Sequence, residues 1–152
     1  MSRVGQHAEI MLPPALAALA TPAAYSHAVT AVELIETHIS WVILTGSFAY
    51  KIKRPVQYPF VDFRSLAQRE YFCREELRLN RRFAPDVYLD VCAVVQRGAT
   101  VTMGGEGEIV EYAVRMRQFD PLQELGTLVE RDDVAVPELH DFGVRLAGLH
   151  AN

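Results

Sequence analysis

One long amphipathic helix, with strand-like segments on both sides of it, constrains the fold of this chain most strongly. The stretch SLAQREYFCREELRLNRRFA begins with Ser65, a residue type that caps helix amino termini, and keeps helical spacing until Pro85. A single helix of this length cannot bury its apolar side alone, so it needs a sheet or other helices to pack against. The segments around it therefore decide the fold class.

The segments before and after this helix are rich in β-branched and aromatic residues, which favour strands. Ahead of it, three strands are predicted at about Val29–Thr37, Trp41–Thr45 and Phe48–Arg54, and Pro55 and Pro59 then take the chain out of the sheet. Behind it, VYLDVCAVVQ and EIVEYAVRMRQF predict two further strands, joined by the glycine-rich turn MGGEGE. This order predicts an α+β fold, in which one long helix crosses a five-stranded antiparallel sheet.

Both ends of the chain are predicted to be helical. PALAALA, with Pro14 in its first turn, favours a short amphipathic helix over a cleaved signal peptide, because Glu9 and the early prolines do not suit a signal peptide. The carboxy-terminal region is helical in pattern and is divided near RDDVAVP, where Pro137 suits the first turn of the last helix. We therefore divide the chain into a lobe at residues 1–120 and a helical connector at residues 121–152, the start of a further lobe.

Composition limits the partners and the compartment. The chain has 152 residues, 50% of them hydrophobic and 22% charged, which is typical of a globular domain. A formal net charge of −4 gives no general electrostatic reason to bind nucleic acid or an anionic membrane, and no apolar run approaches the roughly 18 residues that cross a bilayer. Cys73 and Cys92 lie in apolar periodic segments without CxxC spacing. We expect a cytoplasmic protein with no nucleic acid and no membrane as a partner.

The third predicted strand, FAYKIKR, brings a small residue and two lysines to one face. With the two-residue period of a strand, Ala49, Lys51 and Lys53 lie on the side opposite Phe48 and Tyr50. A small residue followed two positions later by a lysine suits a nucleotide pocket, where a base lies over the strand and the ammonium reaches the phosphates. Lysines on a strand also commonly form only a solvated face, and that alternative stays open here.

The long helix offers a carboxylate to these lysines. At 100° per residue, Glu76 lies in the middle of its apolar side, whereas Glu75 lies on the solvated side. A buried carboxylate needs a cation, because leaving it unpaired is costly, so we predict that Glu76 pairs with Lys51 or Lys53. A purely structural ion pair remains an alternative. The other residues predicted on the apolar side are Arg69 and Asn80 in its middle, Phe72, Leu79 and Phe83 on one flank, and Leu66, Cys73 and Leu77 on the other.

Together these segments resemble a known family. VELIETHISWVILTGSFAYKIKRPV followed by CREELRLNRRFAPDVYLDV is similar to the amino-terminal lobe of the aminoglycoside phosphotransferase-like kinases, specifically an uncharacterised bacterial branch whose members often precede a P-loop kinase domain. The likeness covers about Ala24 to Asn152. It implies a protein-kinase-like amino-terminal lobe that binds ATP for transfer to a small molecule.

The resemblance also implies roles for individual residues. Ser40 would lie in the loop over the phosphates, and Glu76 would hold whichever lysine contacts them. Met116 and Gln118 belong to the segment Met116–Phe119, whose backbone would be the hinge that bonds adenine.

The chain departs from the family in one large respect. The family's catalytic aspartate loop, with its metal-binding asparagine, and its second metal-binding aspartate belong to a carboxy-terminal lobe, which would begin after VPELHDFGVRLAGLHA, where this sequence stops. No catalytic or metal-binding residue is therefore predicted, Mg²⁺ would bind only with the other lobe, and a lobe truncated in this way is expected to bind ATP weakly or not at all. The alternative is a non-catalytic interaction or scaffold module that keeps the lobe fold.

The triplet Asp141-Phe142-Gly143 imitates the metal-binding motif of kinases. It follows the predicted hinge by only about two dozen residues and has no HxD loop before it, so it lacks the context that the motif requires. It also lies in a run of apolar residues at helical spacing, which are Leu139, Phe142, Leu146 and Leu149. We interpret it as part of a helix. Because this apolar stripe would pack against the missing lobe, we also expect a homodimer through the last helix.

Overall fold

The structure is a computed structural model that describes residues 10–119 and a helix at residues 136–150, the latter with side chains at 137 and 140–148. Its strands are β1 (Glu33–Glu36), β2 (Ser40–Leu44), β3 (Phe48–Lys53), β4 (Gln57–Tyr58), β5 (Val61–Asp62), β6 (Tyr88–Arg97), β7 (Thr100–Met103) and β8 (Glu108–Arg117). Its α-helices are α1 (Leu66–Asn80) and α2 (Val136–His150), and 3-10 helices span Pro14–Ala20 and Pro22–Ala24.

The main sheet has six antiparallel strands in the order β1-β2-β3-β8-β6-β7, and β4 and β5 form a separate short hairpin. The predicted α+β class is therefore confirmed, but the predicted number of five strands is wrong. The strand missed in this sheet is β7, which lies between the two strands predicted after the long helix. Gly98, with a φ of 61°, provides the tight turn from β6, and the β-branched Thr100, Val101 and Thr102 then extend the ladder.

Several predicted boundaries also need correction. The first strand does not begin at Val29, because the ladder with β2 starts at Glu33. The long helix ends at Asn80, before Pro85, because the Asn80 carbonyl accepts hydrogen bonds from the N–H groups of Phe83 and Ala84 in a turn, at 3.0 and 2.9 Å. Pro85 disfavours helical geometry in Ala84, the residue before it, so the chain does not return to a helix after this turn. The predicted amino-terminal helix is a 3-10 helix.

One face of the sheet carries the hydrophobic core. Trp41 and Ile43 of β2 and Ile52 of β3 pack against Leu16 and Leu19 of the first 3-10 helix, and Ile43, Ile52 and Leu19 are fully buried. Burying a side chain of this size contributes roughly 1.5–3 kcal/mol. The amino-terminal segment is therefore part of the same folded unit, since it closes this face.

Helix α1 packs on the opposite face. The Ser65 hydroxyl accepts a hydrogen bond from the Gln68 N–H at 3.2 Å, which is the predicted amino-terminal cap. The buried positions of α1 include Cys73, which is fully buried, as the helical pattern predicts. The predicted flank is partly wrong, because Leu79 is 43% exposed and Phe83 is 46% exposed, at the last turn of the helix and just beyond it.

Helix α2 contains the kinase-like triplet. Asp141, Phe142 and Gly143 lie within Val136–His150, and Pro137 is in the first turn, so the helical interpretation is confirmed. The rest of the predicted helical connector, at residues 121–135, lies outside the described residues, as do the side chains of Leu139 and Leu149. Neither described α-helix has the length and apolar character that spanning a membrane requires.

Candidate functional site

Strand β3 carries three of the predicted site residues, Ala49, Lys51 and Lys53. They lie on the face of the sheet that α1 covers in part. Ala49 lies opposite Leu44 of β2 and Met116 of β8, while Lys51 lies opposite Val42 and Val114. The alternation along the strand is therefore as predicted, with the small residue and the lysines sharing one side.

Two lysines meet one carboxylate at the contact between β3 and α1. The Lys51 Nζ lies 2.8 Å from Glu76 Oε1, and the Lys53 Nζ lies 2.7 Å from Glu76 Oε2. The Glu76 side chain is 13% exposed, whereas Glu75 faces solvent and pairs with Arg78 on the outer side of the helix. The prediction that Glu76, and not Glu75, faces the lysines is confirmed. The role of this cluster in binding a ligand stays a prediction.

The lysines keep Glu76 ionised inside the protein. Burial alone would raise the pKa of the Glu76 carboxyl, but the charge of Lys53 and the hydrogen bonds from both lysines outweigh burial, so that this pKa lies below its ordinary value. Two ammonium groups and one carboxylate leave one net positive charge, which suits an anionic ligand.

A cavity of about 570 Å³ opens beside this cluster, over the part of the sheet next to α1. Its apolar wall is formed by residues of β2, β3 and β8, among them Val42, Leu44 and Ala49. Five of the seven predicted binding residues line it, namely Ser40, Ala49, Lys51, Met116 and Gln118. Lys53 and Glu76 are not among the lining residues, and Glu76 is bonded to Lys51, which is.

The β1–β2 turn borders the cavity and is internally braced. The Thr37 hydroxyl accepts a hydrogen bond from the Ser40 N–H at 3.0 Å, and the Thr37 and Ser40 hydroxyl oxygens lie 2.9 Å apart. An Arg54 Nη1 donates to the Thr37 carbonyl at 2.8 Å and pairs with Glu36 at 3.0 Å. Ser40 is 1% exposed, so its hydroxyl serves the turn itself, and the predicted contact with phosphates stays untested.

Some backbone N–H groups of the predicted hinge, Met116–Phe119, already donate hydrogen bonds within the protein. The Arg117 N–H donates to the Val87 carbonyl at 2.8 Å, and the Gln118 N–H donates to the Ser47 carbonyl at 3.0 Å. The Gln118 side-chain oxygen accepts from the Gly46 N–H at 2.8 Å. Among the described residues the Phe119 N–H has no hydrogen-bond partner, and both Gln118 and Phe119 line the cavity.

Sequence reasoning missed several cavity residues, Tyr88 and His38 among them, and one buried ion pair. Tyr88 and His38 line the cavity, and pairing Tyr88 with Met116 across β6 and β8 brings it there. The alternation of VYLDV could have indicated one face for Tyr88, but not its register against β8. Arg69 was predicted on the buried side without a partner, and its partner is Glu111, whose carboxylate accepts from Arg69 Nε at 2.9 Å.

A metal site would need several histidine, cysteine or acidic side chains close together. Between residues 10 and 119 and along α2, no group of three or more histidine, cysteine, aspartate or glutamate side chains is arranged to hold one. The lining residues give the cavity an apolar wall, with Lys51 at its border.

Comparison with known proteins found relatives that are much longer than this chain. No protein-family model matches it, and no solved structure matches it. Uncharacterized protein Rv2004c of Mycobacterium tuberculosis and Uncharacterized protein Mb2027c of Mycobacterium bovis are each 37% identical over 98 residues, which is 64% of this chain and 18% of either relative. The chain thus spans less than a fifth of the length of these relatives, whose names state no activity.

Proposed function

We propose that the chain is the ATP-binding lobe of a small-molecule phosphotransferase of the aminoglycoside phosphotransferase-like type. One observation carries the proposal: an apolar cavity on the sheet has at its border Lys51, whose ammonium is held at 2.8 Å by the helix carboxylate Glu76. In kinases a lysine held by a helix glutamate orients the phosphates of ATP. The six-stranded sheet with its packed helix is compatible with the kinase-like lobe that the sequence resembles.

The cavity suits a nucleotide in size and in polarity. Its volume of about 570 Å³ lies within the range of roughly 300–1,000 Å³ that small-molecule sites occupy. In the proposed complex the base lies against Leu44, Ala49 and Met116, where the small side chain of Ala49 leaves room over β3. The phosphates then lie toward Lys51, and the edge of the base lies toward Gln118 and Phe119, which both line the cavity.

We do not expect the lobe to transfer a phosphoryl group by itself. A transferring phosphoryl group must be stabilised by metal ions and the carboxylates that hold them, in addition to a lysine. We place those groups, and the residues that recognise the acceptor, in a second lobe. This proposal is compatible with the much greater length of the mycobacterial relatives.

The alternative function is a non-catalytic interaction module with the same fold. One observation favours it, because the Arg117 and Gln118 N–H groups are already bonded to Val87 and Ser47 and are not available to a base. The two functions differ in whether the cavity binds nucleotide at all.

Calorimetric titration of the chain with ATP and ADP, each with and without Mg²⁺, tests the proposal. We expect weak binding, with a Kd on the order of 0.1–1 mM that does not require Mg²⁺. Lys51→Met should weaken it by about tenfold or more, because a charge-assisted hydrogen bond is lost. The matched control is Arg78→Met, which removes a cation from the outer side of α1, where the Arg78 side chain is 62% exposed.

Three other outcomes would change the conclusion. Equal loss of binding in both variants would indicate non-specific attraction of the phosphates. No binding at millimolar nucleotide would favour the interaction module. Tight Mg²⁺-dependent binding or ATP hydrolysis would show that this chain carries metal-binding and catalytic groups of its own.

A further inference from the structure

Glu76 is bonded to two lysines, although one would neutralise it, and the two lysines are in different environments. The Lys51 side chain is 28% exposed and lines the cavity, whereas the Lys53 side chain is 6% exposed and does not line it. The Lys53 Nζ also lies 5.1 Å from the centre of the Phe63 ring, at a distance that permits a cation–π contact. One cation is therefore accessible to a ligand, and the other is enclosed by protein.

The strand geometry separates the two lysines further. Residues two apart on a strand differ by about 6.6 Å along it, so Lys53 lies one such step farther than Lys51 from the pair formed by Ala49 and Met116. A ligand seated against Ala49 reaches Lys51 first. Both ammonium groups nevertheless bond to the same carboxylate, one to each oxygen.

We propose that Lys53 is the permanent counter-ion of Glu76, so that Lys51 can exchange its bond to Glu76 for a bond to an anionic group in the cavity. Lys53 is then a positioning residue that acts through Glu76 and Lys51. The identity of the anion, a nucleotide phosphate, rests on the proposed function, whereas the division of roles between the lysines does not.

The physical reason is the cost of an unpaired buried charge. Glu76 is 13% exposed, so the departure of its single partner would leave a carboxylate in the interior without compensation. With Lys53 bonded at 2.7 Å, Glu76 keeps a partner while Lys51 moves toward a ligand. The titratable groups facing Glu76 are Lys51 and Lys53 from β3, Tyr88 from β6 and Cys73 from its own helix.

The first test follows the titration of the Glu76 carboxyl by carbon NMR, assigned with Glu76→Gln, and needs no nucleotide. Both lysines lower the Glu76 pKa, so both variants should raise it, but Lys53→Met should raise it clearly more than Lys51→Met does, and Lys53→Arg should restore it. An equal or larger rise in Lys51→Met would overturn the assignment.

A folding control covers the case in which Lys53→Met does not fold. The double variant Lys53→Met/Glu76→Gln should recover the stability that Lys53→Met loses, because the carboxylate that needed a counter-ion is gone. Failure of the double variant to recover stability would mean that Lys53 has another structural role, and would also overturn the proposal.

The second test follows the side-chain NMR signals of the lysines in the wild-type chain while ADP is added. The Lys51 signal should shift with ADP, and the Lys53 signal should keep its position. An equal shift of both signals would overturn the division of roles. If ADP does not bind but the Glu76 titration gives the expected pattern, the proposed function fails and the assignment of Lys53 as counter-ion stands.

Discussion

Breaking the buried ion pair between α1 and β8 should destabilise the fold strongly. The Arg69 Nε lies 2.9 Å from both carboxylate oxygens of Glu111, and the two side chains are 11% and 6% exposed. Glu111→Leu leaves the guanidinium buried without its counter-charge, which costs about 3–5 kcal/mol. Arg69→Met leaves the carboxylate unpaired at a similar cost, and it adds about 1 kcal/mol or more because the buried Phe63 carbonyl loses its donor at 2.9 Å.

The double variant separates the value of the pair from the cost of breaking it. Arg69→Met/Glu111→Leu replaces both charges by apolar groups, so we expect its stability to lie within about 1–2 kcal/mol of wild type, with a coupling energy of about 3 kcal/mol or more. The matched control is the exposed pair of Arg74 and Glu70, whose side chains are 61% and 34% exposed. Its coupling energy should be about 0.5 kcal/mol or less.

Urea unfolding followed by tryptophan fluorescence measures these energies. The sequence has one tryptophan, and Trp41 is 7% exposed within the sheet core, so its emission reports unfolding of the lobe. Single variants that each cost less than about 1 kcal/mol would refute the reasoning, since a buried unpaired charge must cost more than that. Coupling energies equal in the buried and exposed pairs would refute it as well.

Three further outcomes are expected. The pKa of the Glu76 carboxyl is lowered in the folded protein, so the carboxylate stabilises the fold above its ordinary pKa of about 4.3. This contribution is lost as the pH falls below that value. Urea midpoints measured from pH 3 to 7 should therefore depend less on pH in Glu76→Gln than in the wild type. Burial raises the pKa of the Cys73 thiol to about 11 and that of the Cys92 thiol to about 12. Iodoacetamide should therefore alkylate both thiols slowly at pH 8 in the folded chain and fast in urea, as followed by mass spectrometry. The chain should self-associate through the last helix, where Phe142 is 50% exposed. Light scattering should show a dimer that Leu146→Glu dissociates. A wild-type monomer of 17.0 kDa at high concentration would contradict this expectation.

Periodicity and charge compensation allowed part of the site to be predicted from the sequence. The two-residue period of β3 placed Ala49, Lys51 and Lys53 on one face, and the helical period of α1 distinguished Glu76 from Glu75. The requirement that a buried carboxylate have a cation then predicted the contact between two elements that are far apart in the chain. Which lysine lines the cavity depends on where along β3 the cavity lies, and only the structure shows this position.

The missed features depend on register and on short-range turn geometry. The partner of Arg69 could not be chosen from the sequence, because the bulge between Val94 and Val95 shifts the register of β8 against β6. Strand β7 was missed because its four residues lie between two glycine-containing turns, and so short a segment has too few residues for its alternation to stand out. The hydrogen bonds of Gln118 to the Gly46–Ser47 turn join positions far apart in the sequence and have no local signal.

The most direct test of the central claim is to locate bound nucleotide by NMR. With ADP added to the chain labelled at alanine and methionine methyl groups, the account predicts that the shifted signals concentrate on Ala49 and Met116 and that both methyl groups show NOEs to the adenine ring protons. These two residues face each other across β3 and β8 at the apolar wall of the cavity. Shifts confined to other residues, such as Ala24 and Met103 on the opposite side of the sheet, or no shifts at millimolar ADP, would contradict the claim that this cavity is a nucleotide site.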